Sequence, residues 1–462
     1  MLFKRFYSSS PIDTLRWRGL LHQVTRPTID AHLSKQPTSV YAGFDPTARS
    51  LHVGNLLTIV ALMHFAARGH SPIALIGGAT AAIGDPSGRA SERSVLARDV
   101  IIDNSSAIRT QLSSLFKNAV HTMARHSHPT SDALLNVKVL DNYDWFHRFS
   151  LIDFMGTVGR FARVSQMLAK ESVKSRLEAP DGISFTEFTY QLLQGYDFQY
   201  LNKTHNVSVQ IGGSDQWGNI TSGIDLIRKM REGGGGGGGD VENSEDVAFG
   251  LTFPLVTTAS GEKFGKSAGN AIWMDPAMVS PFDFYQFFRR TPDSEVERYL
   301  KYFTFMSEET IAGLMKKHQE QPHLHTPQRT LAFEVTHLVH GEESAKNSKT
   351  KSHLLYDTGD QSTPLPTASE ITAAFKGDDR LVQLSHNAVL NGTTTLLQVA
   401  VQCGSCKSIS AAKKLVASGG LYINNVKVAN GDDVLSESAH TMEGKIVLVR
   451  SGKSKYTIVQ LI

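Results

Sequence analysis

His52 and Asn55 are polar residues, three positions apart, at the start of a predicted apolar helix that ends at Gly69. This spacing puts both side chains on one face of the helix. A helix N-terminus has free N–H groups and a positive dipole end, so it favours an anion, and Thr47 adds a hydroxyl nearby. The stretch predicts a site that holds a phosphate while its charge shifts during reaction. Taken alone, it fits an ordinary strand–turn–helix with a surface histidine equally well.

A second candidate for anion chemistry lies some two hundred residues later. Residues 261–267 read GEKFGKS and place Lys263, Lys266 and Ser267 in a short loop flanked by glycines. Two cations in a loop of this kind are suited to closing over an anion. This second element favours the anion-binding interpretation of the first stretch over that of an ordinary strand–turn–helix.

Several further stretches support one common interpretation. The sequences HVGN at 52–55 and KFGKS at 263–267 resemble the HIGH and KMSKS signatures of class I aminoacyl-tRNA synthetases. The stretches GGAT at 77–80, GDPSG at 84–88, ISFTEF at 183–188 and QIGGSDQWGN at 210–219 are more specific. They resemble the tyrosyl-tRNA synthetases of the bacterial and organellar type. The resemblance runs from about Tyr41 to the C-terminus.

The resemblance implies a two-step reaction. Tyrosine and ATP give tyrosyl-adenylate and pyrophosphate, and tyrosine then passes to the 3′ end of a tRNA. The expected partners are therefore L-tyrosine, ATP accompanied by Mg²⁺, and a mitochondrial tRNA(Tyr). A homodimer is expected, with no tightly bound cofactor, no resident metal and no membrane. Because no covalent enzyme intermediate is needed, positioning and electrostatics must carry the catalysis.

The resemblance also implies roles for individual residues, each taken from a matching motif position. Phosphate-side catalysis is expected from Thr47, His52, Asn55, Arg89, Arg93, Lys263, Lys266 and Ser267. For the two arginines, solvation at the surface is the competing interpretation. The tyrosine pocket is expected from Tyr41 and Asp197 at the phenol, Asp85, Tyr190 and Gln194 at the ammonium, and Gln216 near the carboxylate. ATP is expected at Asp45, His52, Gly54, Gly213, Asp215 and Lys266.

One position departs from the family pattern. Asn55 stands where the signature usually ends in histidine. Asparagine donates a hydrogen bond but carries no charge, so we expect an altered affinity for ATP.

The elements around these motifs predict an α/β fold. An apolar strand, the His52 helix and a second strand at 72–78 follow one another, which indicates a parallel sheet wrapped by helices. Ligands in such sheets lie beyond the carboxyl ends of the strands, where Asp45, Asp85 and residues 212–216 fall. No G-x-G-x-x-G fingerprint opens the fold, which argues against a dehydrogenase. We predict a Rossmann-like parallel-sheet catalytic domain of class I type, an α-helical domain, and a small α+β RNA-binding domain.

The expected boundaries follow from changes in composition. We predict a transit peptide at 1–25 and a catalytic domain at 26–275, and the resemblance implies that a connective insertion within this domain forms the dimer contact. The glycine run 233–239 and its acidic flank make 231–246 a flexible insertion. A helical domain at 280–352, a linker at 353–390 and an RNA-binding domain at 391–462 complete the chain, and the resemblance implies that the helical domain is the anticodon-side domain. RNA contact is expected in the last domain from Lys407, Lys413, Lys414 and Lys427.

Composition limits the classes of function. A formal charge of +3 and a pI of about 8.6 are only mildly basic, so any RNA surface must be local. No apolar run approaches membrane-spanning length, and we expect a soluble protein. Cys403 and Cys406 form a C-x-x-C pair without a second pair to complete a zinc site, so reduced thiols are expected. The basic, serine-rich, acid-poor first twelve residues are typical of a mitochondrial leader, which predicts the matrix; a disordered cytosolic tail is the alternative.

Two other functions stay open at this point. An organellar RNA-binding role in group I intron splicing, known for some fungal members of the family, could be added to the ligase. A tryptophanyl enzyme or a small-molecule nucleotidyltransferase could share the class I fold. Asp197 with Tyr41 argues against tryptophan, and the C-terminal basic module argues against a small-molecule enzyme.

Overall fold

The computed structural model describes residues 10–89, 91–92, 94–126, 136–232, 248–255, 271–356, 365–452 and 455–462. The chain divides into two compact units. The first unit takes in residues 1–280 and 287–341, and the second takes in 281–286 and 342–462. The predicted flexible insertion at 231–246 lies outside the described residues, except for its first two positions.

A six-stranded sheet forms the centre of the first unit. Its strands are β1 (Gln23–Val24), β2 (Ser39–Phe44), β3 (Ser71–Ile76), β4 (Lys138–Asp141), β5 (Val207–Gly213) and β6 (Phe249–Phe253). The order across the sheet is β1-β6-β5-β2-β3-β4. All neighbours run parallel except β1, which is antiparallel to β6. The chain adds β3 and β4 on one side of β2 and then adds β5 and β6 on the other side. The switch point of the sheet therefore lies at β2.

Helices cover both faces of this sheet, as continuous apolar strands require. The first unit's α-helices are Pro11–Trp17, Ile29–Lys35, Val53–Ala66, Arg98–Arg125, Tyr143–Phe146, Leu151–Thr157, Val164–Leu168, Glu171–Leu177, Phe185–His205, Trp217–Glu232, Asp293–Phe303 and Glu308–Glu320. The helices Pro11–Trp17 and Phe185–His205 begin at serines, Ser10 and Ser184, whose side chains accept from the first-turn N–H groups. The helices Pro281–Arg289 and Thr326–Tyr356 each contribute to both units. No helix in the described ranges is both long and apolar enough to cross a bilayer.

The N-terminal segment forms two helices with β1 between them. Gly19 turns the chain at φ +71° after the first helix, and Pro27 precedes the second. The Arg18 guanidinium is buried and donates to the carbonyls of Lys301, Thr304 and Met306 at 2.7–2.8 Å. Burial, with Arg68 nearby, lowers the pKa of Arg18 to about 9.

The predicted transit-peptide boundary at residue 25 conflicts with this packing. A leader that ended there would remove an edge strand of the sheet and the buried Arg18. The described residues 10–25 belong to the folded first unit.

The second unit is built on a five-stranded sheet. Its strands are β7 (Leu381–Leu384), β8 (Leu421–Ile423), β9 (Val426–Lys427), β10 (Ile446–Ser451) and β11 (Lys455–Leu461), in the order β7-β11-β10-β8-β9. Only β7 and β11 run parallel. The helices of this unit that follow Tyr356 are Ala368–Ala374, His386–Val389, Leu396–Gln402, Ile409–Ala417 and Glu437–His440.

Both faces of this second sheet pack against helices. Val447 and Val449 face the helix Leu396–Gln402, whereas Ile446 and Leu448 pack with Ile371 and Phe375. The predicted linker at 353–390 is wrong in its described part, since it supplies β7 and the helix Ala368–Ala374 to this core.

Candidate active site

A cavity of about 360 Å³ opens at the carboxyl ends of β2, β3 and β5, at the switch point of the sheet. The structure brings to this cavity every predicted catalytic, tyrosine or ATP residue that it describes. These are Tyr41, Asp45, Thr47, His52, Gly54, Asn55, Asp85, Arg89, Tyr190, Gln194, Asp197, Gly213, Asp215 and Gln216. Fold position and motif position therefore point to the same place.

Four predicted residues, Arg93, Lys263, Lys266 and Ser267, lie outside the described residues. The described residues on either side of 256–270 nevertheless reach the cavity, since Leu255 and Trp273 both line it. Backbone hydrogen bonds fix the two neighbours of Trp273. Val53 N donates to Ile272 O, and Met274 N donates to Leu51 O, each at 3.0 Å. The chain thus leaves the cavity at β6 and returns beside the His52 helix.

The start of the helix Val53–Ala66 is closed by its own side chains. His52 is the N-cap, and its Nδ1 accepts from Gly54 N at 3.1 Å. Asn55 Oδ1 accepts from His52 N at 3.1 Å, which completes a capping box. An accepting Nδ1 selects the tautomer with the proton on Nε2, and the asparagine amide keeps its two N–H donors. Both side chains can thus donate to a phosphate oxygen, and the asparagine fills its position without a charge.

The deep end of the cavity holds a buried carboxylate beside a buried phenol. Asp197 is 3% exposed and accepts from Asn142 Nδ2 at 3.0 Å and from Trp145 Nε1 at 2.9 Å. Burial raises the pKa of Asp197 well above its usual range, although those two hydrogen bonds oppose the rise. Burial, and then the charge of Asp197, raise the pKa of Tyr41 as well.

The Tyr41 hydroxyl is buried and has no hydrogen-bond partner among the described residues. A buried hydroxyl left unpaired costs free energy, so its place beside Asp197 favours a ligand hydroxyl that pairs with both.

Asp45 is held by two hydroxyl groups at the end of β2. Thr80 Oγ1 donates to its Oδ1 at 2.7 Å, and Tyr190 OH donates to its Oδ2 at 2.8 Å. The resemblance assigns Asp45 to ATP and Tyr190 to the tyrosine ammonium, whereas the structure joins the two directly. A single hydrogen-bonded group therefore connects the two expected subsites.

A second polar group surrounds Asp85. Gln216 Nε2 donates to Asp85 Oδ2 at 2.8 Å, and Gln194 Nε2 donates to Gln216 Oε1 at 3.2 Å. Asn219 Nδ2 donates to Gln194 Oε1 at 3.0 Å. A carboxylate oriented by amides in this way is suited to bind a cation such as an ammonium.

Glycine is required where the strands end. A Cβ on Gly77 would overlap the Asp45 carboxylate and the Thr80 hydroxyl, and one on Gly213 would come within 2.6 Å of Asp215 Oδ1. These glycines let the backbone approach the polar groups closely.

Sequence reasoning missed the roles of four neighbours, Thr80, Asn142, Trp145 and Asn219. Thr80 was recognised only as part of a motif. Asn142 follows the end of β4, the position at which site residues are expected, and this was a usable signal. Trp145 gives no such signal, because it reaches Asp197 only through the tertiary fold.

Two further predictions concern cations and thiols. Within the described ranges, no group of three or more His, Cys, Asp or Glu side chains is arranged to hold a metal ion. Cys403 is buried in the core of the second unit, and Cys406 packs against that core. Burial raises the pKa of both thiols.

Lys407, Lys413, Lys414 and Lys427 are all exposed in the second unit.

Comparison with known proteins identifies the family. The family described as "tRNA synthetases class I (W and Y)" matches residues 33–357, and the "Tyrosine–tRNA ligase SYY-like C-terminal domain" matches residues 378–459. The mitochondrial tyrosine–tRNA ligase of Drosophila melanogaster is 41% identical over 444 residues, which is 96% of this chain and 92% of that protein. The chain belongs to the class I tyrosyl-tRNA synthetases.

Other tyrosyl-tRNA synthetases are similar to the same extent. The tyrosine–tRNA ligase of Geobacillus stearothermophilus is 41% identical over 96% of this chain and 98% of its own length. Among solved structures, a C-terminally truncated Aspergillus nidulans mitochondrial tyrosyl-tRNA synthetase matches with a TM-score of 0.70 and 33% identity. The matched region covers 77% of this chain and 96% of the Aspergillus nidulans chain. The predicted fold class and the predicted tyrosine–tRNA ligase function are thereby confirmed.

Proposed function

We propose that this ligase activates tyrosine in the cavity at the carboxyl ends of β2, β3 and β5. The observation that carries the proposal is the buried Tyr41 hydroxyl, which has no partner among the described residues, beside the buried Asp197. A substrate phenol would donate to Asp197 as a third donor and accept from Tyr41, so that the Tyr41 hydroxyl gains a partner. Phenylalanine would leave the Tyr41 hydroxyl unpaired and Asp197 without this third donor. Discrimination against it is therefore expected to be about 10⁵-fold, the magnitude known for tyrosyl-tRNA synthetase.

The rest of tyrosine lies toward the strand ends in this proposal. Asp85, oriented by Gln216, receives the α-ammonium, with Gln194 and Tyr190 close by. The tyrosine carboxylate then points toward the helix Val53–Ala66. ATP lies across Asp45, Gly54, Gly213 and Asp215, with its phosphates at the helix start.

The first step is an in-line displacement at phosphorus. A tyrosine carboxylate oxygen bonds to the α-phosphorus, and the bond from that phosphorus to the oxygen bridging to the β-phosphate breaks. Charge builds on the leaving pyrophosphate, which departs with the Mg²⁺ that accompanied ATP. Thr47, His52 and Asn55 donate to the phosphates from one side, with Lys263, Lys266 and Ser267 acting from the other. Arg89 and Arg93 are assigned to the pyrophosphate.

The second step transfers tyrosine to RNA. A terminal ribose hydroxyl of tRNA(Tyr) attacks the carbonyl carbon of the adenylate, and AMP leaves. The exposed Lys407, Lys413, Lys414 and Lys427 hold RNA phosphates in this proposal. We assign the tRNA to mitochondria and the protein to the matrix, with a leader that ends before Ser10. The mitochondrial relative and the acid-poor start of the chain support this assignment.

The connective segment supports a homodimer. Several large apolar side chains on its short helices and on the helix that follows are exposed. They are Leu151 (76%), Ile152 (82%), Met155 (49%), Val164 (61%), Leu168 (41%) and Phe185 (72%). An exposed group of this kind favours a protein interface. Leu151→Asp with Phe185→Asp should produce monomers in sedimentation experiments, and an unchanged dimer would exclude this face.

Tyrosine-dependent exchange of pyrophosphate with ATP tests the proposed function. The full chain should support exchange with tyrosine and reject phenylalanine. Asp197→Ala should abolish most of the exchange while binding ATP normally, and Tyr456→Phe, in the second unit, serves as the matched control. Normal tyrosine affinity in Asp197→Ala would place the phenol elsewhere.

A further inference from the structure

One face of the second sheet carries alternating cations and aromatic rings at its open end. Lys427 is the cross-strand partner of Tyr422, Tyr422 of Arg450, and Arg450 of Tyr456. Directly opposed residues in antiparallel strands point to the same face. The four side chains therefore form a row across β9, β8, β10 and β11, which we call the Tyr–Arg row.

The rings and the guanidinium in this row are in contact. The Arg450 guanidinium carbon lies 3.7 Å from the centre of the Tyr422 ring and 5.9 Å from that of Tyr456. The Arg450 Nε is buried and has no hydrogen-bond partner among the residues that the structure describes. In the part of the chain that the structure describes, no carboxylate forms a salt bridge with Arg450. Among the described residues, it is therefore the aromatic faces that offset the positive charge.

The row lies where the sheet is incompletely covered. On the same face, Ile446, Leu448 and Ile458 are fully buried beneath helices. Tyr422, Arg450 and Tyr456 are only half-buried, and Lys427 is exposed. The row is thus the point at which this face passes from core to solvent.

We propose that the Tyr–Arg row is a binding site for an unpaired nucleotide of the tRNA, with its base stacked on the aromatic faces and its phosphate near Lys427. Flat rings and a guanidinium plane stack on bases of any sequence, and lysine supplies the phosphate contact. The uncompensated charge of Arg450 is complementary to RNA. The inference rests on the proposed function, because the ligase reaction is what makes tRNA the partner.

Lys427 connects this site with the predicted RNA surface. Lys407, Lys413 and Lys414 belong to the helix Ile409–Ala417 and the residues before it, which pack on the other side of the sheet from the row. Lys427 lies on the edge strand β9, between these three lysines and the rest of the Tyr–Arg row. A strand of RNA that passes this edge would meet phosphate contacts first and the stacking site next.

Equilibrium binding of a tRNA(Tyr) transcript to the full-length protein tests the row, measured by filter binding at several salt concentrations. Tyr422→Leu and Tyr456→Leu should each weaken binding by about 5- to 100-fold, whereas the corresponding phenylalanine variants should bind within about twofold of the wild type. The leucine variants should keep the wild-type dependence on salt, because no phosphate contact is lost. Lys413→Gln should reduce that slope by about 1. Wild-type affinity in both leucine variants would overturn the proposal.

Two controls protect this test. Val426→Ala removes exposed methyl groups from the opposite face of the same hairpin and should not change the affinity. If the leucine variants do not fold, photo-crosslinking of 4-thiouridine tRNA to the wild-type protein decides the matter. Crosslinks within 421–427 or 455–460 support the row, and crosslinks confined to other peptides overturn it. Pyrophosphate exchange by the same wild-type preparation reports separately on the proposed function.

Discussion

Asp197 combines an ionisable carboxyl group with almost complete burial. A carboxylate in such a site is costly unless it is paired, and here its only described donors are the neutral groups of Asn142 and Trp145. The raised pKa of Asp197 is the physical sign of this cost. A substrate hydroxyl adds a third donor, so tyrosine binding is expected to relieve part of the free-energy cost of this burial.

The stability of the free protein should report this raised pKa. In the folded state Asp197 holds its proton above the unfolded pKa of about 3.9. Between the two pKa values the folded chain binds more protons, so stability falls as pH rises through this window. Asp197→Asn removes the group, and its stability relative to wild type should therefore increase with pH, by up to about 1.4 kcal/mol per pH unit. Urea unfolding of both proteins from pH 4 to 8 measures the difference, and a difference that does not vary with pH would contradict the prediction.

Lys266 offers a second prediction for a single residue, based on its motif position. If its ammonium stabilises the developing pyrophosphate charge, Lys266→Ala should cost about 3–4 kcal/mol and slow adenylate formation by a few powers of ten. Tyrosine affinity should hardly change. Rapid-quench measurement of adenylate formation tests this, with Lys266→Arg as a control that retains the charge. Activation at the wild-type rate by the alanine variant would remove Lys266 from the mechanism.

The sequence predicts site residues well where a motif is local. His52 and Asn55 are only three positions apart and cap the same helix, so their geometry follows from the sequence alone. Asn142 and Trp145 meet Asp197 across 55 and 52 residues, and no local pattern contains that information. Glu187 shows the same limit. Its backbone N–H donates to the hydroxyl of Ser184, which a local pattern can predict, but its carboxylate pairs with Arg176, which no local pattern predicts.

At the scale of elements, that ion pair joins two helices of the first unit. Arg176 lies in the last turn of the short helix Glu171–Leu177, and Glu187 lies in the first turn of the helix Phe185–His205. Their nitrogen and oxygen are 3.0 Å apart, and both side chains are 2% exposed. The same long helix carries Tyr190, Gln194 and Asp197, so the pair fixes the element that positions much of the tyrosine pocket.

Breaking this pair on one side should be strongly destabilising. Arg176→Met leaves the Glu187 charge buried without its partner and should lower the free energy of unfolding by about 3–5 kcal/mol. Arg176→Met combined with Glu187→Leu should recover most of that loss, because the unpaired charge is gone. Urea unfolding of the two variants beside the wild type provides the comparison. A loss below about 1 kcal/mol in the single variant would show that solvent reaches the site.

At the scale of the whole molecule, the limits of the second unit decide where the chain can be shortened. A cut at 391, suggested by the sequence, would remove β8 to β11 and leave Leu354, Leu355 and Phe375 without their sheet. This boundary could not be predicted from the sequence, because β7 is a short strand that pairs with β11 at the far end of the chain. The unit boundary at 341 is the better limit.

We expect a chain that ends at Gly341 to keep tyrosine-dependent pyrophosphate exchange close to normal. Its charging of tRNA should fall by about two powers of ten, since several phosphate contacts are lost together. A chain that ends at residue 390 should aggregate. Exchange, charging and light scattering of the two truncated proteins test these outcomes. Full charging by the folded shorter chain would refute the RNA-binding role of the second unit.

The path of the chain between the units also has a consequence during synthesis on the ribosome. Residues 281–286 belong to the second unit, but they leave the exit tunnel before residues 287–341, which belong to the first, and before residues 342–462. At 5–20 residues per second, the 121 residues from 342 to 462 take about 6–24 s to make. For most of that time the core on which the apolar Phe282 packs is incomplete, because Ile446, Leu448 and Ile458 of that core are made near the end. The nascent chain is therefore expected to engage a chaperone at this segment, although the catalytic unit is already complete.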